Sequence, residues 1–341
     1  MVPFVLQNLV CMNVKLQLQS YNYYLDDLVR VGRSLTVSIH YITKLQKKLY
    51  GYLDKNMKVL VLGVTGMLGN AIFRTFLNSN VGYDVIGTIR SDNASHHFDG
   101  VNSEYIITGV DVENYDSLIR VFATFHPQIV INCVGLVKQL ADSNNPLLAI
   151  PINTLLPHRL ADLCAIANAR LIHISTDCVF SGDKGNYMES DFPDAKDLYG
   201  RSKLLGEVDY PHAVTLRTSI IGHELSGNRS LVGWFLSQER SVKGYTRAIF
   251  SGLPTVELAR IIHDFVLPCP KLHGLYHIAA KPIDKHSLLN LIAQIYNKKI
   301  EIFPDDSFKI DRSLNSQKFY EMTGYVAPEW HELITRMYEF K

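Results

Sequence analysis

Residues 63–69 read Gly63-Val-Thr-Gly-Met-Leu-Gly69, directly after the apolar run Val59-Leu60-Val61-Leu62 and at the head of an amphipathic stretch from Met67 to Leu77. Strand, glycine turn, helix is the order in which such glycines bind a dinucleotide. The first glycine permits a tight turn, the second lets backbone approach a pyrophosphate, and the third lets helix and strand pack closely. The helix N-terminus then offers unpaired N–H groups to the phosphates. On this reading Gly63, Thr65, Gly66, Met67, Leu68 and Gly69 line the cofactor.

Outward from that turn, strands and helices alternate. Strands are expected at Lys58–Leu62, Tyr83–Arg90, Glu104–Thr108, Gln128–Val134, Arg170–Ser175 and Ala213–Arg217. Helices are expected at Met67–Asn78, Asn114–Phe125, Leu147–Asn168 and Tyr199–Glu207. Such alternation makes an α/β fold, a Rossmann-type doubly wound parallel sheet whose ligands lie beyond the strand carboxyl ends. Past Ser219 the pattern loosens, with helical stretches at Ser230–Glu239, Val256–Leu267 and Ser287–Tyr296 and strand-like ones at Gly274–Ala279 and Lys299–Ile302. We therefore expect a dinucleotide-binding domain over 57–217 and a smaller C-terminal substrate-binding region over 218–341, partly interleaved with the main sheet. Residues 1–56 match neither pattern and read as an N-terminal extension outside the fold.

Composition narrows the class. The chain has 341 residues, 47% hydrophobic and 20% charged, with net charge +1, so no global field recruits nucleic acid. The extension is basic, with seven Lys/Arg against three Asp. The five scattered cysteines, with no CxxC pair, argue for a reducing compartment and against a zinc site. No apolar run reaches the roughly 18 residues of a membrane span. A cytoplasmic protein is expected, with no membrane span, no metal and room for a homodimer.

The reactive residues fall after a strand. Arg170-Leu-Ile-His-Ile-Ser-Thr-Asp-Cys-Val-Phe-Ser-Gly182 ends its strand on Ser175 and Thr176, and Tyr199-Gly-Arg-Ser-Lys203 follows. Tyr and Lys four apart share one helix face. A neighbouring ammonium is expected to lower the phenol toward working pH, making Tyr199 a proton donor to a carbonyl oxygen. Lys203 can also reach a cofactor ribose, and Thr176 can hold the substrate oxygen.

Together these stretches resemble the extended short-chain dehydrogenase/reductases, and most closely the dTDP-4-dehydrorhamnose reductase family. The resemblance rests on the 63–69 turn, Ser175-Thr-Asp177 with Val179-Phe180, and Tyr199-Gly-Arg-Ser-Lys203 continuing Leu-Leu-Gly-Glu207. Leu216-Arg-Thr-Ser219 and Ser313-Leu-Asn-Ser-Gln-Lys-Phe319 add to it, so that it covers residues 57–341. It implies NAD(P)H-dependent reduction of the 4-keto group of a nucleotide-activated 6-deoxysugar, for cell-surface polysaccharide precursors. Thr176, Tyr199 and Lys203 become the catalytic set, Asn153 a residue that shapes the site, and Arg217 one near the cofactor and substrate cleft. Two departures bear on the sugar. Cys178 and Ile220 stand where the family often has aromatics, which implies a differently shaped hexose.

Several residues have two readings. Arg90, closing the second strand, suits a 2′-phosphate and favours NADP over NAD, or is a solvated loop arginine. Asp111 and Val112 resemble the pair that lines the adenine. Lys138 is a sugar-hydroxyl ligand or a surface lysine, and Trp234 a base-stacking or a core residue. Arg240, Lys243 and Arg247 meet a diphosphate or are scattered surface charge. His273 and His277 are too far apart along a strand for one zinc. The whole chain has two further readings: a non-catalytic NADP-binding regulatory subunit, similar to the beta subunit of methionine adenosyltransferase, or a nucleotide-sugar epimerase.

Overall fold

The computed structural model describes residues 57–79, 82–98, 103–136 and 144–341. The expected extension and Lys138 lie outside the described residues. Among the described residues, seven parallel strands form the central sheet: β1 (Lys58–Leu62), β2 (Asp84–Thr88), β3 (Ile106–Ile107), β4 (Ile129–Asn132), β5 (Arg170–Thr176), β6 (Ala213–Thr218) and β10 (Gly274–His277). Their order is β10-β6-β5-β4-β1-β2-β3, the doubly wound arrangement, with strand order reversing between β1 and β4. β1 and β4 are almost wholly buried apolar runs, as strands covered on both faces must be.

The helices of this half are α1 (Met67–Leu77), α2 (Tyr115–Phe125), α3 (Pro146–Ala149), α4 (Leu156–Ala167) and α5 (Leu198–Leu205). The single helix expected over 147–168 is interrupted. Residues Ile150–Leu155 make a π-type turn between α3 and α4, and Asn168 leaves the helix at φ 53°. A π-type turn shifts the side-chain rows on a helix, and such turns often sit at functional positions. Asn153 lies in it.

The C-terminal third holds β7 (Ile220–Ile221), α6 (Leu231–Ser237), β8 (Ser241–Phe250), β9 (Leu253–Pro254), α7 (Thr255–Ile261), β11 (Ile283–Asp284), α8 (Lys285–Ile295), β12 (Glu301–Asp311), α9 (Gln317–Thr323) and α10 (Trp330–Glu339). β11, β8 and β12 form a three-stranded sheet, and β7 pairs with β9. β8 lies where the sequence pattern marks no strand, and β12 runs on to Asp311 rather than ending at Ile302. β8 buries Val242, Ala248 and Phe250, whereas β12 is largely exposed and takes its strand character from pairing with β8. Lys243, a candidate diphosphate ligand, instead points across this pair to Asp305 at 3.0 Å. The largest core cluster joins Val59, Phe73 and Phe76 to Leu258, Ile262, Tyr276, Phe319 and Trp330, so both halves of the chain share one core.

Candidate functional site

The glycine turn has the shape its sequence predicts. Gly63 adopts φ 82°, a region L side chains rarely enter, and its carbonyl accepts the Gly66 N–H at 3.0 Å. A Cβ on Gly69 would lie 2.2 Å from that same carbonyl oxygen, so only glycine lets α1 sit this close to β1. The first turn of α1 has no side-chain cap and no acid, leaving its N–H groups open to an anion. Thr65 and Gly66 are exposed and Met67 half-buried around this opening, whereas the Leu68 side chain is buried in the core, so only its backbone faces a ligand.

At the end of β2 the Arg90 guanidinium is mostly exposed, 3.6 Å from Asp111 Oδ2 and 3.8 Å from Glu113 Oε2. Asp111 Oδ1 accepts the Glu113 N–H at 3.1 Å, and Val112 packs against the second core cluster. Arg90 and Asp111, predicted separately, therefore share one corner of the site.

β5 delivers Thr176 and α5 delivers Tyr199 and Lys203. The Asp197 carboxylate caps α5 by accepting the Gly200 N–H at 2.8 Å, and burial of Gly200 against the Cys178 carbonyl fixes the helix to the strand end. Thr176 Oγ1 accepts the Cys178 N–H at 3.1 Å, donates to Asp177 Oδ1 at 3.3 Å and is hydrogen-bonded to the Tyr199 hydroxyl. Burial pushes the Tyr199 phenol above its usual range, and Cys178 and Asp177 add to this. The lowering expected from Lys203 is not found; desolvation governs, and the phenol stays protonated at neutral pH, the form a proton donor needs. The Lys203 ammonium donates to the Ile174 carbonyl at 2.8 Å, and burial pushes it down to about 8.

Asn153 is buried and fully engaged. Its Oδ1 accepts the Leu136 N–H at 2.9 Å, and its amide donates to the Leu136 carbonyl and to Ser202 Oγ. It ties the loop after β4 to the helix of Tyr199 rather than facing a ligand. Arg217 departs further from expectation. Its guanidinium lies under the strand ends, 3% exposed, bonded to Glu207 through Nε and Nη2 at 2.6 Å each and to His277 Nε2 at 3.2 Å. It is a buried structural cation, and no part of it is left for a substrate. Trp234 is 38% exposed on α6 while Phe235 is fully buried, so the pair divides between surface and core.

Three residues at the site carry roles that sequence reasoning missed. Arg312 donates to the Phe180 carbonyl at 2.7 Å and lies 3.7 Å from Cys178 Sγ, and both it and Lys285 face the Asp177 carboxylate. Burial raises Asp177 despite these cations. Arg312 directly follows β12 and Lys285 opens α8, far downstream in the chain, and no local pattern marks them. The third, Glu207, had a signal: it stands four residues past Lys203.

Comparison with known proteins gives a consistent picture. A probable low-salt glycan biosynthesis reductase of Haloferax volcanii is 31% identical over 183 residues, which are 52% of this chain and 58% of that protein. The methionine adenosyltransferase 2 subunit beta of Bos taurus is 30% identical over 178 residues, 52% of this chain and 50% of that one. The chain thus spans little more than half the length of these relatives. The dTDP-4-dehydrorhamnose reductase of Bacillus anthracis, solved in complex with NADP, superposes with a TM-score of 0.66 at 21% identity, over 84% of this chain and 99% of that one, a likeness of fold. The RmlD substrate binding domain model matches residues 57–339, the whole sheet and the C-terminal elements together. The chain belongs to the RmlD substrate binding domain family.

Proposed function

We propose that the protein is an NAD(P)H-dependent reductase of the 4-keto group of a nucleotide-activated 6-deoxysugar. The observation that carries this reading is the convergence of Thr176, Tyr199 and Lys203 where β5 ends and α5 packs against it. The glycine turn fits a dinucleotide: Gly69 lets α1 close onto the turn at Gly63, and the first turn of α1 is uncapped. When bound, the reduced nicotinamide supplies the hydride. Gly63, Thr65, Gly66, Met67 and the backbone of Leu68 and Gly69 would hold the pyrophosphate, Asp111 and Val112 would border the adenine, and Lys203 would reach the ribose. Arg90 argues for NADPH, since its planar fork suits a 2′-phosphate.

Tyr199, kept protonated by its burial, gives its proton to the forming alkoxide. Thr176 Oγ1 orients the same oxygen, and the Lys203 charge stabilises the tyrosinate left behind. Asn153 holds the β4 loop against α5, so that the pocket keeps its shape. Cys178, backed by Arg312, takes the place of an aromatic face and sets the sugar preference. The exposed ring of Trp234 is the residue available to stack on the nucleotide base.

The test is NADPH oxidation by the full chain with dTDP-, UDP- and GDP-linked 4-keto-6-deoxysugars. Turnover with one nucleotide series, reduced at least about a hundredfold by Tyr199→Phe with NADPH affinity retained, upholds the reading. Tight NADPH binding without turnover on any of them favours a regulatory subunit, the reading to which the likeness to an adenosyltransferase beta subunit lends weight.

A further inference from the structure

The helix that carries Tyr199 and Lys203 leads to a further ionisable residue at the same spacing. α5 closes at Leu205, Gly206 caps it, and Glu207 follows just beyond. A Cβ on Gly206 would meet the Asn153 carbonyl oxygen at 1.9 Å, so the chain leaves the helix against the π-type turn along a fixed path. That path delivers the Glu207 carboxylate beneath the strand ends, with 11% of its side chain exposed.

Glu207 Oε1 accepts from Ser175 Oγ and from Arg217 Nε at 2.6 Å each, and Oε2 accepts from Arg217 Nη2 at 2.6 Å. Ser175 stands between Ile174, whose carbonyl receives the Lys203 ammonium, and Thr176. One carboxylate is therefore bound to the strand segment that holds both Lys203 and Thr176, and to a buried arginine on β6.

The groups that act on Lys203 come from three directions. Burial lowers it, and Glu207 and Cys133 raise it. The Cys133 thiol is itself pushed up to about 12 by burial and is neutral, and His173 on β5 is driven well below its usual value and is neutral too. The negative charge that opposes desolvation is that of Glu207. Arg217, on the far side of the carboxylate, draws on the same charge through two hydrogen bonds, and His277 beyond it is neutral.

We propose that Glu207 is a positioning residue: its carboxylate, bonded to Ser175 Oγ, holds the β5 segment on which the Lys203 ammonium and Thr176 are seated and acts on that ammonium, while Arg217 shares its charge. The inference rests on the reductase reading for its bearing on catalysis, while the charge coupling itself can be measured without a substrate.

The experiment is an NMR titration of the Lys203 side-chain amine in the full chain carrying isotope-labelled lysine, the resonance assigned by its loss in Lys203→Arg. Glu207→Gln is expected to move the midpoint down by roughly one to three pH units. Arg217→Gln is expected to move it up, because the carboxylate then acts on Lys203 alone. Glu207→Asp keeps the charge on a shorter arm and gives a smaller downward shift. Opposite displacements by the Glu207 and Arg217 variants uphold the proposal; an unmoved midpoint, or displacement in one direction by both, overturns it. Glu207→Gln leaves a buried arginine unpaired and can unfold the chain. In that event Glu207→Asp and Arg217→Gln, compared with the unaltered protein, decide the matter by the same criterion of opposite displacements. If the reductase reading is right as well, the alkaline limb of kcat follows the same midpoints. If it is wrong, the titration still decides.

Discussion

His277 and Arg217 show how a single hydrogen bond fixes a protonation state. The guanidinium donates to His277 Nε2, so that nitrogen is the acceptor and Nδ1 carries the proton that it donates to the Tyr187 carbonyl at 3.0 Å. Burial and the Arg217 charge push this imidazole down to about 3. An unfolded histidine titrates near 6.5, so between about 6.5 and about 3 the unfolded chain binds a proton that the native one refuses. Stability from this residue is full above about 6.5 and is lost as pH falls toward about 3. His277→Gln keeps an acceptor for Arg217 and a donor for Tyr187 without titrating. Thermal unfolding of the variant between pH 6.5 and 4 is expected to show a pH slope shallower by up to about 1.4 kcal/mol per unit. The share of His173, buried beside Asn132 and also lowered, remains in both proteins.

At the scale of elements, the contact between the glycine turn and α1 is backbone against backbone. The atoms a Gly69 Cβ would strike are the Gly63 carbonyl oxygen and carbon, at 2.2 and 2.8 Å, and neither can rotate away. Gly69→Ala must therefore part the turn from the helix. NADPH affinity, read by fluorescence titration, is expected to fall by roughly tenfold or more, equal to about 1.4 kcal/mol or more. Gly82→Ala is the control, since a Cβ there meets nothing within 4 Å. The interrupted helix over 146–167 makes a related point. Leu147 and the later apolar positions read as a continuous helix to Asn168, and at the turn over 150–155 Asn153 and Thr154 bond to Leu136 and Ser202. Those partners lie far away in sequence.

At the scale of the molecule, the boundary expected near residue 217 does not cut between two cores. β10 pairs with β6 as the outer strand of the main sheet, and α7 packs on α1. Arg170, on β5, donates to the carbonyls of Val266, Cys269 and Leu272, and these bonds too would be lost by cutting there. A fragment of residues 57–217 would expose the face of α1 that Phe73 and Phe76 bury and leave β6 as a bare edge. It is expected to lack a cooperative thermal transition, whereas residues 57–341 show one. Among the described residues, no helix is long and apolar enough to cross a membrane.

The sequence by itself determined what is local. The turn at 63–69 needs only its glycines and the flanking strand and helix, and the Tyr199–Lys203 pair needs only helical spacing; both were legible because their geometry is set within a dozen residues. β1 and β4 were legible as apolar runs, and β5 and β6 by their place in the alternation of strands and helices. The tertiary structure alone decided the rest. It made a strand of 241–250 and carried the one expected at 299–302 on to 311, the two pairing in parallel. It turned Arg217 from a cleft residue into the buried partner of Glu207, brought Arg312 and Lys285 to Asp177, and let desolvation govern Tyr199. Charges and desolvation depend on which groups meet across the fold, and no spacing along the chain encodes that meeting.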